Sequence, residues 1–400
     1  VTVFHADGRE ETGVNVLVRR GLIQAVGVGV PIPPDAQVLE GDSLRVYPGL
    51  VDAYRRVDMD LPSPERGNGV LAWDPPREVQ GFTPHRLAAD FLVADGSDLR
   101  GDRNAGVIAA GVFPEGGMAS GQGAALLFRM TTKAPRELVV HPRLGLFFSF
   151  QGARGAYPSS LFAVVAHFRQ VFEDATRHGL IETEYARDPV GMTAPRWDPD
   201  FEALREAASG SLPVFFLAEE DEDIRRALGL AEEIGFRPIL LGGQEAWEVA
   251  DELAGKGIPV LLSVAFPEPA DWRPDQDGQR SDLEPAAARE KARVEDAYSP
   301  APRLAEAGVT LALTSGGGQG SLLEGARKAV EYGLSEADAL RALTSTPAYL
   351  LGMPHITTVG PGMAANFIVT DGPLFGEGTG IRYTFVEGEL EEGRAPPPAG

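Results

Sequence analysis

The sequence contains no cysteine, which excludes disulfides, thiolate nucleophiles, Cys-ligated zinc and iron–sulfur clusters together. Lysine is nearly as scarce, with Lys133, Lys256, Lys291 and Lys328 the only four among 36 basic residues, set against 58 acidic ones. The resulting net charge of −22 repels polyanions, so neither nucleic acid nor an anionic membrane is an expected partner. A bilayer span needs ~18 consecutive apolar residues, and the longest run beside a strand pattern, residues 257–266, falls far short. The opening VTVFHADGRE lacks a basic segment followed by an apolar one, as a leader would have. The expectation is a soluble, cytoplasmic protein; a small-molecule ligand and homo-oligomerisation both stay compatible with the sequence.

The signatures of common enzyme chemistry are missing too. There is no HExxH, no GxSxG elbow, no SxxK, no phosphate-binding loop with its Lys and no EF-hand loop. The six histidines, His5, His85, His141, His167, His178 and His355, never fall at HxH, HxxH or HxxxH spacing. Two imidazoles on one strand or helix need such spacing to face one ion. His167 and His178 lie in a helical stretch from about Ser160 and read as ordinary surface or core residues.

What is present is an ordinary globular composition, 43% hydrophobic and 24% charged over 400 residues, which argues against disorder, collagen and coiled coil. Short β-rich pieces at 14–18, 22–28 and 44–47 open the chain, and the same texture returns at 366–370 and 381–387. Residues 391–400, acidic and Pro-rich, read as a frayed tail. Between the two ends, apolar strands alternate with helical patterns: 213–217 then 221–234, 239–241 then 245–254, 258–264, and 309–314 then 322–332. Strands apolar on both faces and alternating with helices imply a parallel sheet with helices outside. Gly333 closes one helix and Ser335 with Asp338 caps the next; residues 272–288 read as a long loop before a helix from about Arg289.

Two Gly-rich stretches, TSGGGQG (314–320) and GGMASGQG (116–123), could cradle an anion with their amides. Neither has a partnering Lys, Arg or Asp at a recognisable spacing, so both read as flexible βα loops. The acidic run EEDED (219–223) follows a strand and opens a helix. Acidic residues are favourable in a first helical turn, and the alternative is a Mg²⁺ or Mn²⁺ site.

VYPGLVDAYRR (46–56), preceded by LVRRGLIQAVG (17–27), resembles the opening of the metal-dependent amidohydrolase superfamily, where a small β domain leads into PGLIDxHxH at the first barrel strand. AAGVFPEGGMASGQGAAL (109–126) and LPVFFLAEEDEDIRRALGLAEEIGF (212–236) are similar to stretches in the imidazolonepropionase-related branch. AGVTLALTSGG (307–317), YGLSEADALRALTSTPAYLLGM (332–353) and VGPGMAANFIVTDG (359–372) resemble the closing segments. The resemblance implies an α/β fold: a (β/α)8 TIM-like barrel over 48–354 plus a composite β-sandwich domain from 1–47 and 355–400. It also implies zinc, iron or manganese at the strand ends, acidifying water for attack on a C–N bond of an amide or related ring.

At the positions the resemblance assigns to metal chemistry, this chain departs from the pattern. Tyr54 and Arg56 stand for the HxH pair, Gln151 for the Lys near the fourth strand, Leu217 and Gly242 for the histidines after the fifth and sixth, and Gly316 for the last Asp. Asn366 replaces the Asp of the closing GxxAD. Arg cannot ligate a cation, and Leu and Gly offer no side-chain donor. The expectation is therefore a catalytically degenerate member with no metal and a binding or structural role. The alternatives are a cyclic-amide hydrolase, or a metal-free enzyme working with mouth residues drawn from Asp52, Arg55, Arg56, Asp58, Asp60 and Glu219. Since the first and fifth strand ends converge on one mouth in that architecture, Arg56 is expected to pair with Glu219.

Overall fold

A computed structural model describes residues 1–41, 43–64, 70–132, 134–266, 298–317 and 322–393. The anticipated loop at 272–288 and the helix after it lie outside the described residues. The strands in chain order are Thr2–Phe4 (β1), Glu10–Thr12 (β2), Asn15–Arg19 (β3), Leu22–Gly27 (β4), Arg45–Pro48 (β5), Leu50–Asp52 (β6), Val107–Val112 (β7), Ala119–Gln122 (β8) and Ala124–Leu127 (β9). They continue with Val139–His141 (β10), Leu146–Ser149 (β11), Val214–Ala218 (β12), Pro238–Gly242 (β13), Val260–Ser263 (β14), Leu311–Thr314 (β15), Phe367–Thr370 (β16), Ile381–Val386 (β17) and Glu389–Glu392 (β18).

β11 to β15 form a parallel run, and β6 pairs in parallel with β7. Side chains alternate across each stave. Val51, Ala109, Phe147, Phe215, Leu241, Leu261 and Ala312 point into one cluster, the barrel interior. Their neighbours Leu50, Ala110, Phe148, Phe216, Leu240, Leu262 and Leu313 join the cluster beneath the helices. Both faces are thus buried, which is why these strands read as unbroken apolar runs.

The third stave departs from the all-parallel expectation. β8 and β9 run antiparallel to both neighbours, β9 against β7 and β8 against β11. GGMASGQG is therefore no flexible loop: Ala119–Gln122 is buried throughout. Two of its glycines are required by close approach, since a Cβ on Gly117 would lie 2.4 Å from the Gly81 carbonyl oxygen and one on Gly123 would lie 2.3 Å from the Phe113 ring.

β15 and β6 end their respective sheets and meet through one buried carboxylate. Thr314 Oγ1 donates to Asp52 Oδ1 (2.6 Å), as do the Ser315 amide (3.1 Å) and the Tyr54 amide (3.2 Å). The Gly317 amide donates to the Tyr54 carbonyl (3.1 Å), and the eight staves close.

Strands from both chain ends share one sheet, in the order β18-β17-β16-β5-β1-β2, and the β3–β4 hairpin lies over it. Val14 and Ile23 of that hairpin pack on Val3, Val46, Phe367 and Val369. The frayed tail expected from residue 391 is corrected at its start, and residues 394–400 lie outside the described residues. Glu391 lies in β18 and receives Arg103 Nη2 (2.9 Å), whose side chain is only 2% exposed. A guanidinium that deep requires a carboxylate, and this one orders the strand. Among the described residues no helix is long and apolar enough to cross a membrane.

Candidate functional site

The C-terminal ends of the staves define a mouth, and the residues assigned to metal chemistry surround it. Tyr54 follows β6 and is buried. Its ring packs on Phe113 (5.9 Å between centroids) and Phe147 (6.2 Å), and Phe113 on Phe215 (4.7 Å). These four rings fill the interior below the mouth with apolar volume. The Tyr54 hydroxyl donates to Glu115 Oε1 (2.5 Å), and Arg56 closes on the same carboxylate through Nε (2.9 Å) and Nη2 (2.8 Å). Burial first, and the Glu115 carboxylate second, push the Tyr54 phenol pKa far above its ordinary value. A phenol held protonated in this way is a poor metal ligand.

The expected Arg56–Glu219 pair is therefore replaced by Arg56–Glu115. The reason is topological: β12, which precedes Glu219, is the fifth stave and stands across the barrel from β6, whereas Glu115 follows β7, the stave beside β6. Sequence reasoning missed Glu115; the available signal was a carboxylate two residues beyond the last inward ring, Phe113, in FPEGG.

Glu219 has a different role. Its carboxyl carbon and oxygens lie 2.5–2.6 Å from the place a Cβ on Gly242 would take. Glu219 as a whole is exposed, but partial desolvation of its carboxyl against Gly242 raises its pKa, opposed by the Gln244 backbone amide. The rest of the acidic run behaves as a helix start, with Asp221, Glu222 and Asp223 in the first turn of Asp221–Ile234 and Arg226 paired to Glu222 and Asp223. Leu217 is half-buried at the end of β12, and Gln151 is exposed, its amide donating to Ser149 Oγ (3.2 Å).

Gly242 and Gly316 carry more than a missing donor. Their φ angles are +90° and +64°, and a Cβ on Gly316 would sit 2.2 Å from Ser263 Oγ. A His or Asp at either place would meet both a left-handed backbone and an occupied volume. Gly242→Ala is expected to lower stability by about 1–2 kcal/mol, read as a shift in the urea midpoint.

The amides of the other Gly-rich stretch are also committed. Ser315 N–H points to Asp52, Gly316 N–H to Thr314 Oγ1 (3.2 Å) and Gly317 N–H to the Tyr54 carbonyl. They close the barrel instead of facing an anion; residues 318–320 lie outside the described part.

The remaining pocket candidates do not converge. Asp52 is buried in the seam, where desolvation raises its pKa against the Ser315 and Thr314 hydrogen bonds. Arg55 turns to Asp102 (2.9 Å). Asp58 and Asp60 are exposed, and their backbones bond Val93 and Phe91. Among the described residues no group of three or more His, Asp or Glu side chains is placed to hold a metal.

Exposure ranks the two arginines. The Arg55–Asp102 side chains are 24% and 16% exposed, those of Arg56–Glu115 64% and 29%. Arg56→Ala should cost no more than about 1 kcal/mol, as for exposed pairs. Arg55→Ala should cost more, because it leaves Asp102 nearly buried and unmatched. Thermal unfolding of the two variants side by side checks the order.

Residues 260–390 match the amidohydrolase family. A search of curated proteins gave no match. Among solved structures, an amidohydrolase from Thermotoga maritima MSB8 is similar at 24% identity, with 98% of each chain covered and a TM-score of 0.76. A zinc-complexed atrazine chlorohydrolase from Arthrobacter aurescens TC1 is similar at 18% identity, covering 100% of this chain and 95% of the other, with a TM-score of 0.53. A prolidase complexed with N-methylphosphonate-L-proline is similar at 16% identity, covering 98% of this chain and 99% of the other, with a TM-score of 0.54. The chain thus has the amidohydrolase-type α/β barrel fold along nearly its whole length, and over residues 260–390 its sequence matches that family as well.

Proposed function

We propose that the chain is an amidohydrolase-type protein of the imidazolonepropionase-related branch that has given up metal-dependent hydrolysis and serves a binding or structural role. A barrel over residues 48–354 is carried by a composite β unit from 1–47 and 355–400. The observation that carries this reading is the joint occupation of the mouth. Tyr54 and Arg56 close on Glu115, the Glu219 carboxyl fills the volume over Gly242, and Ser263 fills that beside Gly316. Such a set does not fit zinc, iron or manganese. It offers a protonated phenol, a guanidinium, two positions without side chains and two carboxylates, Glu115 already paired with Arg56 and Tyr54 and Glu219 across the barrel from it, and no three of the described His, Asp or Glu side chains converge as a catalytic divalent ion requires.

A metal-free chemistry is the second reading, favoured by one observation: the carboxyl of the otherwise exposed Glu219 folds against Gly242 at the mouth, and partial desolvation there raises its pKa. A carboxyl of that kind can donate a proton or a hydrogen bond to a ligand at the mouth. A turnover screen with linear amides, cyclic amides and prolyl dipeptides, with and without added Zn²⁺ or Mn²⁺, separates the readings. The first expects no turnover above background in either condition. Metal-stimulated hydrolysis would overturn both, and metal-independent turnover abolished in Glu219→Gln would favour the second.

A further inference from the structure

The β unit contains a space that its own side chains do not fill. A cavity of about 430 Å³ lies between the β3–β4 hairpin, the six-stranded sheet and the segment 30–39. Val16 and Val18 of the hairpin, Leu44 before β5 and Phe385 of β17 border it. All four belong to the apolar cluster between the two sheets, yet they are only partly buried. The covering segment adds Ile32 and Val38, 60% and 48% exposed.

Protein interiors pack to crystal density, and voids larger than a water molecule are few. Partly buried inward valines therefore represent burial that the chain does not complete by itself, at roughly 25 cal/mol for each Å² of apolar surface left wet. The volume falls in the range of about 300–1,000 Å³ that small-molecule pockets occupy. Asn15, Gln37, Arg19 and Asp35 supply its polar lining; Arg19 and Asp35 are 3.9 Å apart and 58% and 76% exposed, a loose pair that a ligand can part.

We propose that this cavity is a binding site for a single-chain carboxylate amphiphile, its apolar tail between the two sheets and its carboxylate at Arg19. The site shares no lining residue with the barrel mouth and does not depend on the mouth's chemistry. The lining supports a tail because Val16, Val18, Leu44, Phe385, Ile32 and Val38 give it apolar walls, and the head is placed by the one guanidinium among the lining residues.

The test is titration of the full chain with cis-parinaric acid, whose fluorescence rises in an apolar site. Wild type should bind saturably, one per chain. Val16→Trp, which fills the cavity, should weaken binding about tenfold or more, and Arg19→Ala should weaken it severalfold with the cavity intact. Phe162→Ser, which removes an exposed ring elsewhere (86% exposed), should leave binding unchanged. Should Val16→Trp melt early, Val38→Glu at the cavity border keeps the question open to measurement, since a carboxylate there repels the ligand without disturbing the core. Absence of saturable binding in wild type, binding retained in both Val16→Trp and Val38→Glu, or binding lost in Phe162→Ser would each overturn the assignment.

Discussion

Phe215→Ala is expected to destabilise the protein by about 3–5 kcal/mol, the range for removing a fully buried aromatic ring. Phe215 is 0% exposed and its ring lies 4.7 Å from Phe113, which in turn contacts Phe147 and Tyr54. Truncation deletes apolar volume from the middle of a filled barrel, and its rigid neighbours can relax only in part. The comparison is Phe162→Ala, whose ring is 86% exposed and whose loss should stay within about 0.5 kcal/mol. Urea unfolding reads both, with the midpoint moving and the slope unchanged. A barrel that kept a wet, ligand-lined interior would tolerate Phe215→Ala almost as well as Phe162→Ala.

Asp52→Ala should have an effect of similar size for a different reason. Asp52 accepts from Thr314 Oγ1 and the Ser315 amide across the seam between the first and last staves, and from the Tyr54 amide on its own side of it. The Ser315 amide is left without a partner, while the Tyr54 amide and the Thr314 hydroxyl keep their bonds to each other's residue (2.9 and 2.7 Å), so about 2–4 kcal/mol is expected in total. Asp52→Asn keeps an acceptor and isolates the charge. Burial is the largest influence on Asp52 and raises its pKa above the ordinary 3.8. The folded state therefore holds the proton more tightly than the unfolded state. That contribution to stability is full below the unfolded value and is lost as pH rises through the folded one. Wild type should lose stability relative to Asp52→Asn as pH is raised from about 4. A difference that is flat with pH would show that the Asp52 carboxyl is not desolvated.

Much of the barrel was legible because its signal is local. The apolar runs at 213–217 and 258–264 became β12 and β14, and the helix expected at 221–234 is Asp221–Ile234. Ser335 Oγ accepts the Asp338 amide (3.1 Å), as its spacing to a capping partner suggested. The antiparallel third stave was not legible. Its Ala, Ser and Gly residues carry no β propensity, and their need for close approach to Gly81 and Phe113 is a property of the folded neighbours. β1 was missed because three residues leave no period to read, and β2 and β18 because the acidic runs EET and ELEE carry almost no apolar signal.

At the mouth, the sequence displayed which donors are replaced but not what replaces them. Spacing places Tyr54 and Arg56 at the end of the first stave. The partner, Glu115, is set by the reversal of chain direction after β7, which no local pattern encodes. For the same reason Asp52 and Arg55 resembled pocket residues beside the mouth, whereas one fastens the seam and the other turns to Asp102.

The most direct test of the account is the metal content of the full chain. Protein incubated with Zn²⁺, Mn²⁺ and Fe²⁺, dialysed against metal-free buffer and analysed by plasma mass spectrometry should hold far less than one ion per chain, because the mouth offers a phenol, a guanidinium and two glycines where ligands would stand. About one equivalent retained per chain, and lost on substitution of Tyr54, Glu115 or Glu219, would contradict it.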